Sequence, residues 1–223
     1  MKNITLILSL ILMFSCNGQE KNGNKTIRTP HLENNNKMRE KFDFEIYKKT
    51  EYGLNPYILK NGNTINSMSF LENKNGFQYE ELPKPSFETV YKEFNKDGEI
   101  TKEEHYIGEK LKVGVSVYYD EMGNVREVNE NEKFGKIKPI DALKFLEKKG
   151  LINLKTGEGR KTKDGWPSFE LSYEKVEGRN QFIIIIKEGK PNTGPWDDIG
   201  EPPAFLPMTY LMDGETGEVE EIE

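Results

Sequence analysis

"YKEFNKDGEITKEEHY", Tyr91–Tyr106, and "SVYYDEMGNVREVNEN", Ser116–Asn131, are the stretches on which the fold turns. Superposed with a spacing of 25 residues, they place Phe94 on Tyr119, Asn95 on Asp120, Gly98 on Gly123 and Ile100 on Val125. Each copy reads as an aromatic strand, a turn whose glycine supplies a positive φ, and a second strand. Two adjacent copies of one hairpin predict an antiparallel meander.

The same pattern extends towards the N-terminus. "YILKNGNTINSMSF", Tyr57–Phe70, is two extended runs around Asn61-Gly62, a strong hairpin signal, and Asn75-Gly76 marks a further turn before "FQYEEL". Upstream, "KFDFEIYKKT" is ambiguous. Phe42, Phe44 and Ile46 alternate as in a strand, while Phe42, Ile46 and Tyr47 share one face of a short helix.

The unit "YYDEMGNV", Tyr118–Val125, resembles the MORN-like repeats of bacterial proteins, among them antitoxin-type and immunity-type proteins and many Bacteroidetes lipoproteins. The resemblance spans about Tyr57 to Asn131. It implies a hairpin scaffold; because such scaffolds serve different partners, it says little about the partner itself.

From Lys138 the pattern changes. "PIDALKFLEKKG" puts Pro139 at a helix start, Ala142, Leu143, Phe145 and Leu146 towards one side, and Gly150 just past the end. Trp166, Phe169, Leu171 and Tyr173 suggest a strand, and the uninterrupted Phe182 to Ile186 implies one buried on both faces. "MTYLMDGETGEVEEIE" reads as strand, glycine turn, strand. Through Tyr210, Asp213, Thr216, Gly217 and Val219, residues 139–223 resemble the PepSY-like domains of secreted bacterial proteins. That resemblance implies a small inhibitor-type or regulatory module. The expected class is α+β: a β-hairpin meander over 39–137, then a helix packed on an antiparallel sheet over 138–223.

The leader carries an address. Residues 1–15 have one lysine, Lys2, and an apolar block from Ile4 to Phe14 that is shorter than the roughly 20 residues needed to span a bilayer, as in a signal peptide. Cys16 is the only cysteine, so it has no disulfide partner within the chain. Met13, Phe14, Ser15 and Cys16 resemble a bacterial lipobox, which implies acylation of Cys16 and removal of the residues before it. Asn17, in place of an aspartate after that cysteine, implies sorting to the outer membrane. Residues 16–38 then form a lipidated cysteine and flexible tether; six asparagines among Asn17–Met38 keep it solvated.

Removing Lys2 takes the formal charge from −6 to −7. Acidity of this size argues against nucleic acid and anionic lipid as partners and suits a basic protein, either a toxin or an envelope enzyme. No motif for a cofactor or a catalytic triad is present. "GVSVY" at Gly114 lacks the second glycine of a nucleophile elbow, and "GEGRKT", Gly157–Thr162, reads as a glycine turn after the helix rather than a phosphate cradle. His105 and Glu103 share a strand face. As a pair they could serve acid/base or metal chemistry, although a solvent-facing strand histidine is the favoured reading.

The most informative irregular stretch is "KPNTGPWDDIGEPPAFLP", which holds five of the eleven prolines. A long connection stiffened by proline can be held ready for a partner, with Trp196 and Phe205 as aromatic anchors and Asp197 and Asp198 as a polar rim. Alternatively, both aromatics fold back over the end of the sheet. The acidic cluster Asp197, Asp198 and Glu201 lacks EF-hand spacing, so a solvated loop is expected there, not a calcium site. The expected function is non-enzymatic protein binding by an envelope lipoprotein, most sharply immunity to a toxin. A PepSY-like regulator or protease inhibitor is the alternative, and a metal-dependent or hydrolytic enzyme the outlying one.

Overall fold

The computed structural model describes residues 39–71, 74–194 and 204–222. Cys16, the tether, and Trp196, Asp197 and Asp198 lie outside the described residues. The protein is α+β. Strands β1 (Tyr57–Ile58), β2 (Thr64–Phe70), β3 (Gly76–Glu81), β4 (Glu88–Phe94), β5 (Ile100–Ile107), β6 (Leu111–Tyr119) and β7 (Val125–Asn129) pair in sequence order as one antiparallel meander. A second sheet has the order β11-β10-β9-β8, built from β8 (Phe169–Val176), β9 (Arg179–Pro191), β10 (Phe205–Asp213) and β11 (Val219–Ile222).

The repeat is geometrically real. Asn95 N–H donates to Glu99 O and Gly98 N–H to Asn95 O; Asp120 N–H donates to Asn124 O and Gly123 N–H to Asp120 O. Gly98 and Gly123 have φ of +76° and +87°, a region a Cβ disfavours. In both turns the leading side chain caps the loop: Asn95 accepts from the N–H of Asp97 and Glu99, Asp120 from that of Asn124. Burial does not repeat, however. Ile100 is buried and Val125 exposed, because β7 is an edge strand.

The ambiguity at Lys41–Thr50 resolves into both elements. Phe42 N–H donates to Gly98 O as extended chain, and Phe44–Lys49 then forms α1, whose N-terminus Asp43 caps by accepting from the N–H of Glu45 and Ile46. Phe42, Ile65, Met68, Phe94 and Ile100 make a small core at this end of the sheet. Helix α2 (Pro139–Lys148) starts at the proline and is followed by Gly150 at φ +75°, as its sequence requires.

Ala142, Leu143 and Leu146 of α2 enter the larger core. That core joins Ile107, Leu111 and Val113 of the first sheet, with Phe87 just ahead of β4, to Phe169, Leu171, Phe182 and Ile184 of the second. Each fully buried leucine or isoleucine contributes on the order of 1.5–3 kcal/mol.

Three expectations need correction. Strand β9 is fully buried on one face and only partly on the other, where Gln181 is buried at its start. Phe182, Ile184 and Ile186 face the core, whereas Ile183 and Ile185 are half-buried, because α2 is a single helix and covers one side. Trp166 lies before β8 in a turn and is 73% exposed, because Thr162 N–H donates to Trp166 O and closes the chain there. The proline-rich connection is also shorter than its sequence suggests: β9 continues to Pro191, which pairs with Phe205, and Asn192 N–H donates to Ala204 O.

Candidate binding surface

Residues directly opposed in an antiparallel pair share a face. Reading the register across β2–β7 gives three rows on one face of the large sheet. The first is Ser69, Phe77, Glu93, Lys102, Tyr118 and Arg126; the second Ser67, Tyr79, Tyr91 and Glu104; the third Thr64, Glu81, Thr89, Tyr106 and Lys112. Among the described residues, no member of either hydrophobic core lies on this face. Five aromatic rings therefore stay partly open to solvent, with Tyr79 45% exposed.

These rings are fixed by one another and by charge. Tyr79 lies 4.7 Å from Tyr91 and 5.8 Å from Phe77 between ring centroids. Lys102 Nζ sits 4.9 Å over the Tyr91 ring, and the Arg126 guanidinium 4.3 Å over Tyr118. At the centre, Glu104 is only 3% exposed. It accepts from Tyr106 Oη at 2.6 Å, Lys112 Nζ at 2.6 Å and Tyr118 Oη at 2.7 Å. Burial alone would raise its carboxyl, but these three donors outweigh burial and hold it below the usual carboxylate range. Burial, then the hydrogen bond to Glu104, pushes the Tyr106 phenol well above its ordinary value, so it stays a donor.

The opposite face is covered at its ends by the two cores and carries a charged string between them. Glu80, 2% exposed, accepts from Gln78 Nε2 at 2.9 Å and Asn63 Nδ2 at 2.7 Å, and Lys92 Nζ lies 3.0 Å from it. Lys92 also reaches Glu40 at 2.8 Å and Glu103 at 3.8 Å. The string continues through His105, whose Nε2 is 3.5 Å from Glu103 and whose Nδ1 is 3.8 Å from Glu88. The carboxylates of Glu103 and Glu88 on either side raise His105 to about 9. Held between two carboxylates, the imidazole is favoured in its protonated form. Among the described residues, no three His, Cys, Asp or Glu side chains are placed to hold a metal ion.

Beyond Glu88, the sheet and α2 enclose a cleft of about 620 Å³. Phe87, Ile107, Val113, Phe134 and Leu143 line it, with Glu88 and Lys138 as its charged groups. The Lys138 ammonium is folded back to donate to Phe134 O at 3.1 Å.

Of the four partner-binding residues expected from sequence, only Phe205 is described. It opens β10, 42% exposed, and no described feature joins it to the aromatic face. His105 and Glu103 share a face as expected, but the histidine is half-buried between two carboxylates instead of facing solvent. In the glycine turn, Gly157 packs on Pro85 and Gly159 on the backbone of Leu151 and Ile152, which leaves no room there for a phosphate.

Sequence reasoning missed Tyr79, Tyr91, Glu104, Tyr106 and Tyr118. Their signal was the two-residue spacing of Phe77 and Tyr79, of Tyr91 and Glu93, and of Lys102, Glu104 and Tyr106, which puts polar and aromatic groups together on one face. No protein-family model, curated protein or solved structure matches this chain.

Proposed function

We propose that this chain is a lipid-anchored envelope protein whose folded part binds another protein through the open aromatic face of its seven-stranded sheet. The observation that carries the reading is the set of Phe77, Tyr79, Tyr91, Tyr106 and Tyr118, held in place around the buried Glu104 with no core packed over them. Tyrosine and arginine dominate the energetics of protein interfaces, and rings already fixed by neighbours lose little entropy on binding. The leader, with Cys16 in a lipobox-like context, supports the anchor; the MORN-like repeats support immunity to a toxin as the sharpest form.

A photo-crosslinking residue at Tyr79, compared with one at Ile58 on the edge strand β1, tests the surface in the native host. Tyr79 is expected to trap one protein that Ile58 does not; equal or absent products at both sites would sink the reading. Immunity is tested by contact competition. A deletion strain rescued by the natural gene, but neither by Cys16→Ala nor by Tyr79→Ala/Tyr91→Ala, is the expected result.

A second reading, the PepSY-like regulator, draws on the helix and four-stranded sheet over 139–222. Truncation cannot separate the two, because the core is shared between the sheets. Substitution on the outer face of β9, Ile183→Asp/Ile185→Asp, can: loss of partner binding there, with the Tyr79 variant unaffected, would favour the regulator.

A further inference from the structure

We propose that the cleft between the seven-stranded sheet and α2 binds a small amphipathic cation, whose apolar body lies against Phe87, Ile107, Val113, Phe134 and Leu143 and whose charge rests on Glu88. The volume of about 620 Å³ falls within the range of small-molecule sites, and its walls are apolar with few polar groups, as such sites are.

The sign of the ligand follows from the charges that face it. Glu88 ends a connected string of four carboxylates, Glu40, Glu80, Glu103 and Glu88, against two cations, Lys92 and His105. Lys138 is the other charged group lining the cleft, with its ammonium drawn back onto Phe134 O; Arg160, over the Phe87 ring, is balanced by Glu81, so the sum stays negative. Glu88 is also the member of the string least committed. Its one ion-pair partner among the described residues is His105, at 3.8 Å, and His105 is shared with Glu103 at the shorter 3.5 Å. A cation can therefore reach Glu88 by displacing a weak contact. An anion would meet uncompensated negative charge.

Ligand cation and imidazolium then compete for Glu88. Binding should strengthen as His105 loses its proton near pH 9, provided the ligand keeps its own charge. Lys92, which hydrogen bonds and ion pairing with Glu40 and Glu80 hold above its ordinary range despite burial, stays charged across that span.

The test uses the full 223-residue chain with labelled methyl groups and the probe 4-phenylbutylguanidinium, permanently charged. 4-Phenylbutanol and 4-phenylbutanoate serve as size-matched controls. Saturable shifts at the methyls of Ile107, Val113 and Leu143 are expected for the cation, with affinity at least about tenfold above the carboxylate. Glu88→Gln should bring cation and alcohol to equal affinity while the unliganded chain keeps the dispersed methyl spectrum of the folded state. His105→Gln should tighten cation binding several-fold and flatten its dependence between about pH 7 and about pH 9.5. Absence of saturable shifts at these methyls, carboxylate binding as tight as the cation's, or an unchanged preference in Glu88→Gln would overturn the assignment. None of these outcomes bears on the aromatic face, whose variants are read separately.

Discussion

Glu104→Gln is the substitution that most directly tests what holds the open face together. The side chain is almost fully buried and accepts three hydrogen bonds of 2.6–2.7 Å, one from an ammonium and two from phenols. A hydrogen bond to a charged group contributes about 1.5–3 kcal/mol, so the gross interaction is several kcal/mol. Glutamine keeps the shape and one acceptor oxygen. It loses the charge, and its amide is forced to point a donor at a phenol or an ammonium. Because Lys112, Tyr106 and Tyr118 are themselves partly exposed, water can recover some of their bonds, which reduces the expected net loss to about 2 kcal/mol. That corresponds to a fall of about 4–8 °C in Tm for a chain of this size.

The pH dependence supplies an independent check on the same substitution. Glu104 has a folded pKa below its unfolded value, so its stabilisation is complete above the unfolded value of about 4.3 and is lost as pH falls through the lower folded one. Urea unfolding at neutral and acid pH measures both effects. Wild type should lose stability on acidification faster than Glu104→Gln, so that the two curves converge at low pH. A variant within about 0.5 kcal/mol of wild type at neutral pH, or a gap that does not close with acid, would refute the assignment of Glu104 as the anchor of the face.

Two further outcomes follow from other parts of the molecule. His105 has a folded pKa near 9, above its unfolded 6.5, so its stabilisation is full below pH 6.5 and is lost as pH rises through 9. NMR titration of its imidazole should show that late midpoint, and His105→Gln should cost at most about 2 kcal/mol at neutral pH once solvent screening of this partly exposed ring is allowed for, with no cost at high pH. Leu146→Ala, at a fully buried position in the core common to both sheets, should cost about 2–5 kcal/mol and leave the denaturation a single transition; separate transitions would show that the sheets unfold independently.

What the sequence made legible was local. The paired glycine turns at Gly98 and Gly123, the Asn61-Gly62 hairpin, and the Pro139 start and Gly150 stop of α2 each depend on a few neighbouring residues, and each appears where the pattern places it. The helix at Phe44–Lys49 was half legible: Asp43 is a visible cap, but the aromatic spacing suits either element. The run Phe182–Ile186 misled because five apolar residues do not say how many faces have a cover; that depends on whether a second helix exists.

The open face was illegible for a different reason. Tyr118 reaches Glu104 because the register between β5 and β6 shifts between Glu103 and His105; Gly114, at φ +66° inside β6, marks that bulge, but a lone glycine does not say which side chains the shift brings together. The Glu80–Lys92 contact likewise depends on strand pairing and not on spacing.

The position of charge on the sheet bears on how a partner would be chosen. An acidic chain suggests a basic partner, but the open face itself is balanced: Glu81, Glu93 and Glu104 against Lys102, Lys112 and Arg126. Its carboxylates are also largely occupied, Glu93 by Lys102 at 2.7 Å, Glu81 by Lys161 at 2.5 Å and Glu104 by its three donors. A partner's lysines would have to break these pairs to gain new ones, which yields little net free energy. The acidic surplus instead includes the covered string from Glu80 to Glu88 and the terminal glutamates of β11. Long-range attraction of a basic protein and short-range recognition by tyrosine rings would therefore reside on different surfaces, the first governing the rate of encounter and the second the lifetime of the complex. Substitutions at Glu220 and Glu221 should then alter association, while those at Tyr79 and Tyr91 alter dissociation.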